Sequence, residues 1–494
     1  MKKTAASKLH KIFGLLLCPI LILIALSGIG LNHPELIKNI SLPLESLPEN
    51  YHFQNWNNGA IQALAPEPHS GKIYAGGKNG IGYFEGKNFT KIKNPLAQNA
   101  YQNFVYSLLL EHENQRLWVG TRDGLFSYSL SQKRWDYFAQ TTAKRIVSLV
   151  DNGDKILAVS NHHIFQIDSA QKLQYFPIKM QKSQRQTPLY KLIFELHSGE
   201  VLGIVGILLM DLLALALIYF CLSGLYQWFF PKVVRRNWLN HEAKIKGGKT
   251  FRWLAKNHNR WGLILLPLLI ISAGTGLFMR PPALLLIAFS DSPITLKESH
   301  ATSEIPYKIT KAAIFSGDLF LLTDNGAFAG KPSAGAVFAP TQLAVPVHAM
   351  GATVFQQHSQ NQMLIGSFSG LYFWQPSNNT IEKINTGGKS YQNMPTAALS
   401  QNDDVIAFDF YRGKLLDENS TLASQPQNFI ASARMGLWNL LFELHNLRLF
   451  EHYIGAFYLL VLMLTAIFLL VISITGAWIY IPQLITKYKR KKAQ

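Results

Sequence analysis

The sequence predicts a membrane protein made of two duplicated halves, an all-α four-helix bundle joined to an all-β region. Three observations predict it: four apolar windows of spanning length, a repeat at an offset of 248 residues, and strand cores recurring every 39 to 44 residues between the windows. The 494 residues leave room for about two to four domains. Hydrophobic residues make up 48% and charged residues 15%, a low charge content for a soluble enzyme.

The windows cover residues 12–31, 204–230, 261–279 and 454–481, each near the roughly 20 residues needed to cross a hydrocarbon core. Basic residues set the expected orientation. Residues 1–11 carry Lys2, Lys3, Lys8 and Lys11, and residues 231–260 carry nine Lys/Arg against Glu242. Residues 482–494 carry Lys487, Lys489, Arg490, Lys491 and Lys492. These positions supply nearly all of the formal net charge of +18. Both termini and the 231–260 loop are therefore expected in the cytoplasm, with loops 32–203 and 280–453 outside. Such a balance is a topology signal, unlike a nucleic-acid footprint, which needs basic residues gathered on a folded face. The first window is too long for a signal h-region and lacks an A-x-A-like cleavage site, so it reads as an uncleaved anchor. Cys18 and Cys221 lie inside spans and give no disulfide framework.

The repeat pairs His10 with His258, Gly14 with Gly262, Pro19 with Pro267 and Gly28 with Gly276. It also pairs Glu195 with Glu443 and His197 with His445, while Ser223-Gly224 finds its counterpart about four residues late, at Thr475-Gly476. Each half is helix, long loop, helix. Gly28, Gly206, Gly224, Gly276, Gly455 and Gly476 allow close helix approach. Pro19 and Pro267 are expected to break two helices at matching positions.

The loops read as β-rich. Strand cores fall at residues 73–76, 117–120 and 156–159, then at 319–322, 363–366 and 405–408. Several lead through a Gly-bearing turn into a second apolar strand, as in WVGTRDGLFSYS (118–129) and LIGSFSGLYFW (364–374). The spacing suits four-stranded β-propeller blades, three per loop, about six if the loops close into one ring. Two separate small β domains are the other architecture open at this point. The recurring V/I-G-x-x-x-G-L pattern resembles the propeller repeats of two-component sensor ectodomains.

Histidine placement carries the chemistry. Of fifteen histidines, His10 and His258 fall at the expected inner helix ends, and His33, His197 and His445 at the outer ends. His452 follows His445 by seven residues, about 10 Å along a continuous helix. Imidazoles from facing helices are the ligands that hold b-type haem in bundles. Any one of these residues alone would read as an interfacial polar group; matched pairs at one repeat register point instead to haem or metal ligation. His33 and His452 have no counterparts and are candidates to pair with each other. Glu195 and Glu443 are candidates to orient the neighbouring histidines. Asp211 is an acid deep inside a span, a candidate catalytic group for proton relay or else a polar knob between helices. No Walker A, strand-borne G-x-G-x-x-G or H-E-x-x-H motif is present, and a 30-residue loop cannot house a flavin or nicotinamide domain.

The stretches L-H-K-I-F-G (9–14), Ser27-Gly28, E-L-H-S-G (195–199), D-L-x-A-L (211–215), L-S-G-L-Y-x-W (222–228) and N-H-N-R-W-G (257–262) resemble the PepSY-associated transmembrane family. These bacterial inner-membrane proteins include iron-regulated proteins and haem-containing ferric-siderophore reductases. The resemblance implies one or two b-type haems on His10, His258, His197 and His445. It implies electrons passing from quinol or a cytoplasmic reductase to a ferric siderophore or other periplasmic iron chelate. The chain departs from the family where the loops look propeller-like in place of a PepSY module. The rival expectation is a non-enzymatic, membrane-anchored propeller that binds a periplasmic ligand or couples a signal; a transporter is a more distant one.

Overall fold

The computed structural model describes residues 3–52, 59–68, 70–86, 88–153, 155–182, 187–287, 290, 292, 305–347, 351–386, 394–401, 404–410, 413–414 and 434–492. It divides into two compact units, a helical one (Met1–Ile37, Leu189–Ser292 and Leu437–Gln494) and a β one (Lys38–Pro188 and Pro293–Gly436).

The helical unit contains α1 (Lys3–Asn32), α2 (Leu189–Ser198), α3 (Gly203–Arg235), α4 (His241–Ile264), α5 (Leu266–Leu277), α6 (Leu437–His445) and α7 (Phe457–Lys492). Among the described residues, α1, α3 and α7 are each long and apolar enough to cross a membrane. The expected third span, 261–279, is not one straight helix, so the four-helix bundle needs correction: α4 and α5 meet at a 65° bend. Pro267 is the cause. It has no N–H for the carbonyl of Leu263, and its ring collides with that carbonyl, so the ladder ends at Ile264 and restarts. The matching break at Pro19 does not occur. There α1 runs on unbroken, held by Leu17, Cys18 and Leu21 packed with Cys221 and Leu217 of α3 and Phe468 of α7.

The basic 231–260 segment, expected as a loop, is mostly helix: α3 extends to Arg235 and α4 starts at His241. Asn240 caps α4, its side chain accepting from the Ala243 N–H at 2.8 Å, which satisfies one of the orphan donors of a helix start. Lys246 and Glu242 pair one turn apart on the exposed face.

In the β unit six antiparallel sheets follow one another along the chain. All six predicted strand cores fall in the second strands of these sheets: Lys72–Gly77, Arg116–Thr121, Ile156–Ser160, Asp318–Thr323, Met363–Ser367 and Asp404–Asp409. The first strands are Ala63–Glu67, Val105–Glu111, Ile146–Asp151, Ile309–Phe315, Ala352–Gln357 and Pro395–Gln401. Each lies beside the next in that order, and the sixth lies against the first. Trp118, Trp374, Phe84 and Phe126 are fully buried between sheets, each stabilising the unit by about 1.5–3 kcal/mol.

The V/I-G-x-x-x-G-L pattern has two separate causes. Its first glycine lets the first strand of the next sheet approach: a Cβ on Gly120 would meet Ile146 at 2.7 Å, and one on Gly366 would meet Pro395 at 3.2 Å. Its second opens the third strand at positive φ, +111° at Gly124 and +132° at Gly370, where a side chain is strained.

The two loops form one unit, not the two separate domains left open by the sequence. Lys179–Met180 adds a parallel strand to Val337–Thr341 across the loops, and Ser41–Pro43 pairs antiparallel with Arg434–Gly436.

Candidate functional site

The four repeat-matched histidines come together as two pairs within the helical unit. His10 (α1) and His258 (α4) have ring centres 6.2 Å apart with planes at 79°. His197, near the end of α2, and His445, the last residue of α6, have ring centres 6.2 Å apart at 69°. Each pair takes one histidine from each half of the chain. On α1, His10 and the Ser27-Gly28 step that supports the second pair are about 26 Å apart along the axis, close to the thickness of a hydrocarbon core.

One device holds all four rings. A Ser or Thr followed by Gly, on a helix of the opposite half, receives each histidine. His10 Nδ1 lies 3.0 Å from the Ile472 carbonyl and 3.4 Å from Thr475 Oγ1. His445 Nδ1 lies 3.0 Å from the Ile24 carbonyl and 3.2 Å from Ser27 Oγ. His197 Nδ1 lies 3.2 Å from the Ser272 carbonyl and 3.1 Å from Thr275 Oγ1. His258 Nδ1 lies 2.8 Å from Ser223 Oγ, which donates its own hydrogen to the Phe220 carbonyl and therefore accepts from the imidazole. At three of the four the glycine next in sequence makes room: a Cβ on Gly476, Gly276 or Gly28 would lie 3.1, 3.1 or 3.3 Å from the Cε1 atom of His10, His197 or His445, while one on Gly224 would stand 3.9 Å from that of His258, an ordinary contact.

These contacts fix the tautomer. A nitrogen facing a carbonyl must donate, so Nδ1 carries the proton and Nε2 keeps the lone pair for a metal. The spacing fits iron between two such rings. Metal–imidazole bonds of about 2 Å on each side, with each ring centre about 1 Å further back, put the centres about 6 Å apart. Among the described residues no group of three or more His, Cys, Asp or Glu could hold an ion. A facing pair of imidazoles is a donor set that would suit a metal bringing its own equatorial ligands, as haem does. Between the levels of the two pairs lies the apolar cluster of Leu17, Cys18, Leu21 and Cys221.

The other expected site residues lie elsewhere. His33 does not pair with His452: its Nε2 stands 2.6 Å from Asp211 Oδ2, while the His452 ring packs edge-on against Tyr453. Asn32 Nδ2 donates to Asp211 Oδ1 at 2.8 Å, so the carboxylate ties the end of α1 to α3 and belongs to neither histidine pair. Glu443 faces Arg448 with both oxygens and Glu195 lies 3.9 Å from Lys191; neither reaches the Nδ1 of its neighbouring histidine, where carbonyls and hydroxyls stand instead. Sequence reasoning took the glycines for packing and missed the hydroxyl residues in front of them. The signal was there, as Ser27, Ser223, Thr275 and Thr475 each precede a repeat-matched glycine.

The family described as PepSY-associated TM region matches residues 7–481. The chain belongs to that family. This PepSY-associated protein is thus a membrane protein, with candidate spans near its N-terminus, in its middle and near its C-terminus. No curated protein matches it. Among solved structures it is similar to extracellular domains of two hybrid two-component systems of B. thetaiotaomicron. One is 12% identical, covering 74% of this chain and 32% of that one at a TM-score of 0.36; the other is 8% identical, covering 72% and 39% at 0.34. PorZ of Porphyromonas gingivalis, a surface component of the type-IX secretion system, is 7% identical, covering 73% and 37% at a TM-score of 0.30. The PepSY-associated chain thus spans about a third of the first of these structures.

Proposed function

We propose that this protein moves electrons across the bacterial inner membrane to a ferric chelate, such as a ferric siderophore, in the periplasm. The observation that carries the reading is the fourfold use of one histidine-holding device, arranged as two imidazole pairs one membrane thickness apart. His10 with His258, and His197 with His445, would each hold one b-type haem, which supplies one-electron redox chemistry when bound.

The chain's own residues do the rest. The carbonyls of Ile472, Ile24 and Ser272 and the hydroxyls of Thr475, Ser27, Thr275 and Ser223 hold each Nδ1 proton and fix the ring planes. Leu17, Leu21 and Cys18 keep water out of the space between the pairs. Asp211 with His33 and Asn32 manages charge between α1 and α3.

In this reading α4 and α5 cross together as a broken fourth span, the termini and the basic 231–260 segment are cytoplasmic, and quinol or a cytoplasmic reductase supplies electrons. The basic residues support that orientation. The six sheets are read as a six-bladed propeller in the periplasm, supported by the cyclic order of their first strands. Hard oxygen ligands hold ferric iron better than ferrous iron, so reduction loosens the chelate. Purified protein expressed with haem supplied should show a Soret band, and H197A or H445A should lose part of it. A spectrum without that band would refute the assignment.

A further inference from the structure

The outer histidine pair has a cation built into its rim. Arg280 follows Gly276 by four residues, and Gly276 is the glycine against which the His197 ring packs. The Arg280 Nε donates to Asn446 Oδ1 at 2.9 Å, and Asn446 is the residue after His445. That amide is itself fixed: Asn446 is 7% exposed, and its Nδ2 donates to the Phe442 carbonyl at 2.7 Å. The guanidinium lies 5.3 Å over the ring of Phe442, three residues before His445. Residues on either side of one histidine therefore pin the cation, and the turn leading to it seats the other. The charge of Arg280 reaches the His445 ring, and it reaches Tyr190 and Tyr458 at the starts of α2 and α7. Arg280 stands where the outer ends of α2, α5, α6 and α7 meet. His197 and His445 face each other at the same place.

The two neighbouring cations are committed to carboxylates of their own. Arg448 meets both oxygens of Glu443, which is 3% exposed, and Lys191 lies 3.9 Å from Glu195. Glu451, exposed at the rim, is in range of Arg448 and Arg280 together. The amide oxygen of Asn446 and the ring face of Phe442 are neutral partners that fix the plane of the Arg280 guanidinium. Nor is this arginine a by-product of the repeat. The offset of 248 matches it with Asn32, which serves Asp211 at 2.8 Å.

We propose that Arg280 binds a propionate carboxylate of the haem held by His197 and His445. The proposal rests on the reading that this pair holds haem. A haem carries two carboxylates on one edge, and a carboxylate taken out of water needs a charged, hydrogen-bonded partner. A guanidinium offers parallel N–H groups that match both oxygens of such a group.

The test uses the full chain carrying H10A, in which the His197–His445 pair is left to load. The chain is purified without haem and reconstituted in detergent micelles with haem or with haem dimethyl ester, which lacks the carboxylates. Loss of cofactor to excess apomyoglobin is followed in the Soret region. R280Q should speed the loss of haem about tenfold or more and the loss of the ester less than about twofold, with circular dichroism unchanged. R280K keeps the charge but not the fork, and its rate of haem loss should fall between those of R280Q and the parent. The propionate bending band in resonance Raman spectra should also shift in R280Q. An unchanged rate of haem loss in folded R280Q, or equal acceleration for haem and ester in both variants, would overturn the proposal and leave the haem reading standing. A parent chain with no Soret band from either cofactor would remove that reading and the proposal with it.

Discussion

A Cβ on Gly476 would lie 3.1 Å from Cε1 of His10, so a methyl there asks the ring to shift slightly and a branched side chain would need the space the imidazole fills. G476L should displace the ring and remove the component of the Soret band belonging to the His10–His258 pair, leaving the other. G276L should do the converse at His197. Spectra of the two variants, with circular dichroism to check the fold, make the comparison. Equal loss of both components in either variant would mean that the two pairs are not independent sites.

Ser223 is the Nδ1 partner of His258 at 2.8 Å. S223A should leave the ring in place but remove one neutral hydrogen bond, worth about 1 kcal/mol. With less electron donation from the imidazole, which the oxidised metal needs more, the midpoint potential of that component should rise, by at most about 40 mV. Redox titration of the variant against the unmodified protein reads the shift. An unchanged potential would show that the hydroxyl is a packing contact only.

Asp211 is bound to His33 at 2.6 Å and to Asn32 at 2.8 Å, and lies outside both histidine pairs. D211N should cost about 1–3 kcal/mol of stability through the lost charged hydrogen bond, with the Soret band unchanged. Thermal unfolding and an absorbance spectrum of one sample separate the two roles: loss of the band without loss of stability would return Asp211 to the redox site.

Lys311 Nζ bridges sheets two and three, donating to the carbonyls of Tyr106 and Val147 at 3.1 Å each. Desolvation, aided by the nearby Arg145 charge, lowers its pKa from 10.5 to about 8. The folded value lies below the unfolded one, so between these pH values the unfolded chain holds more protons and stability rises with pH. Below pH 8 the cost is fully present. The urea midpoint of the near-ultraviolet circular dichroism signal should therefore rise from pH 8 to about pH 10, and K311M should flatten the rise. A midpoint that falls over this window in the unmodified chain would contradict the sign.

Much of this was legible in the sequence because repetition exposes it. Strand cores such as 117–120 and 363–366 recur with their glycines, and each glycine answers a geometric need that recurs with the sheet. His10 and His258 were legible as a pair for the same reason. The bend at Leu265 was half visible, since Pro267 announces a break but Pro19, at the matching position, is absorbed by packing against α3 and α7. The partner of His33 was hidden because it is set by a tertiary contact with Asp211, 178 residues away, that no periodicity encodes; Glu443 instead turns to Arg448, five residues on. The hydroxyl holders were hidden by a swap: each histidine is held by the other half of the chain, more than thirty residues away at least and over four hundred at most.

The central claim, that the paired imidazoles hold haem, is tested most directly by the absorbance spectrum of the purified full chain, oxidised and dithionite-reduced. The account predicts a Soret band and sharp reduced α and β bands of a bis-histidine b-type site, halved in H445A and absent in H10A/H445A. A protein that takes up no haem when haem is supplied, or a band that survives H10A/H445A, would contradict it.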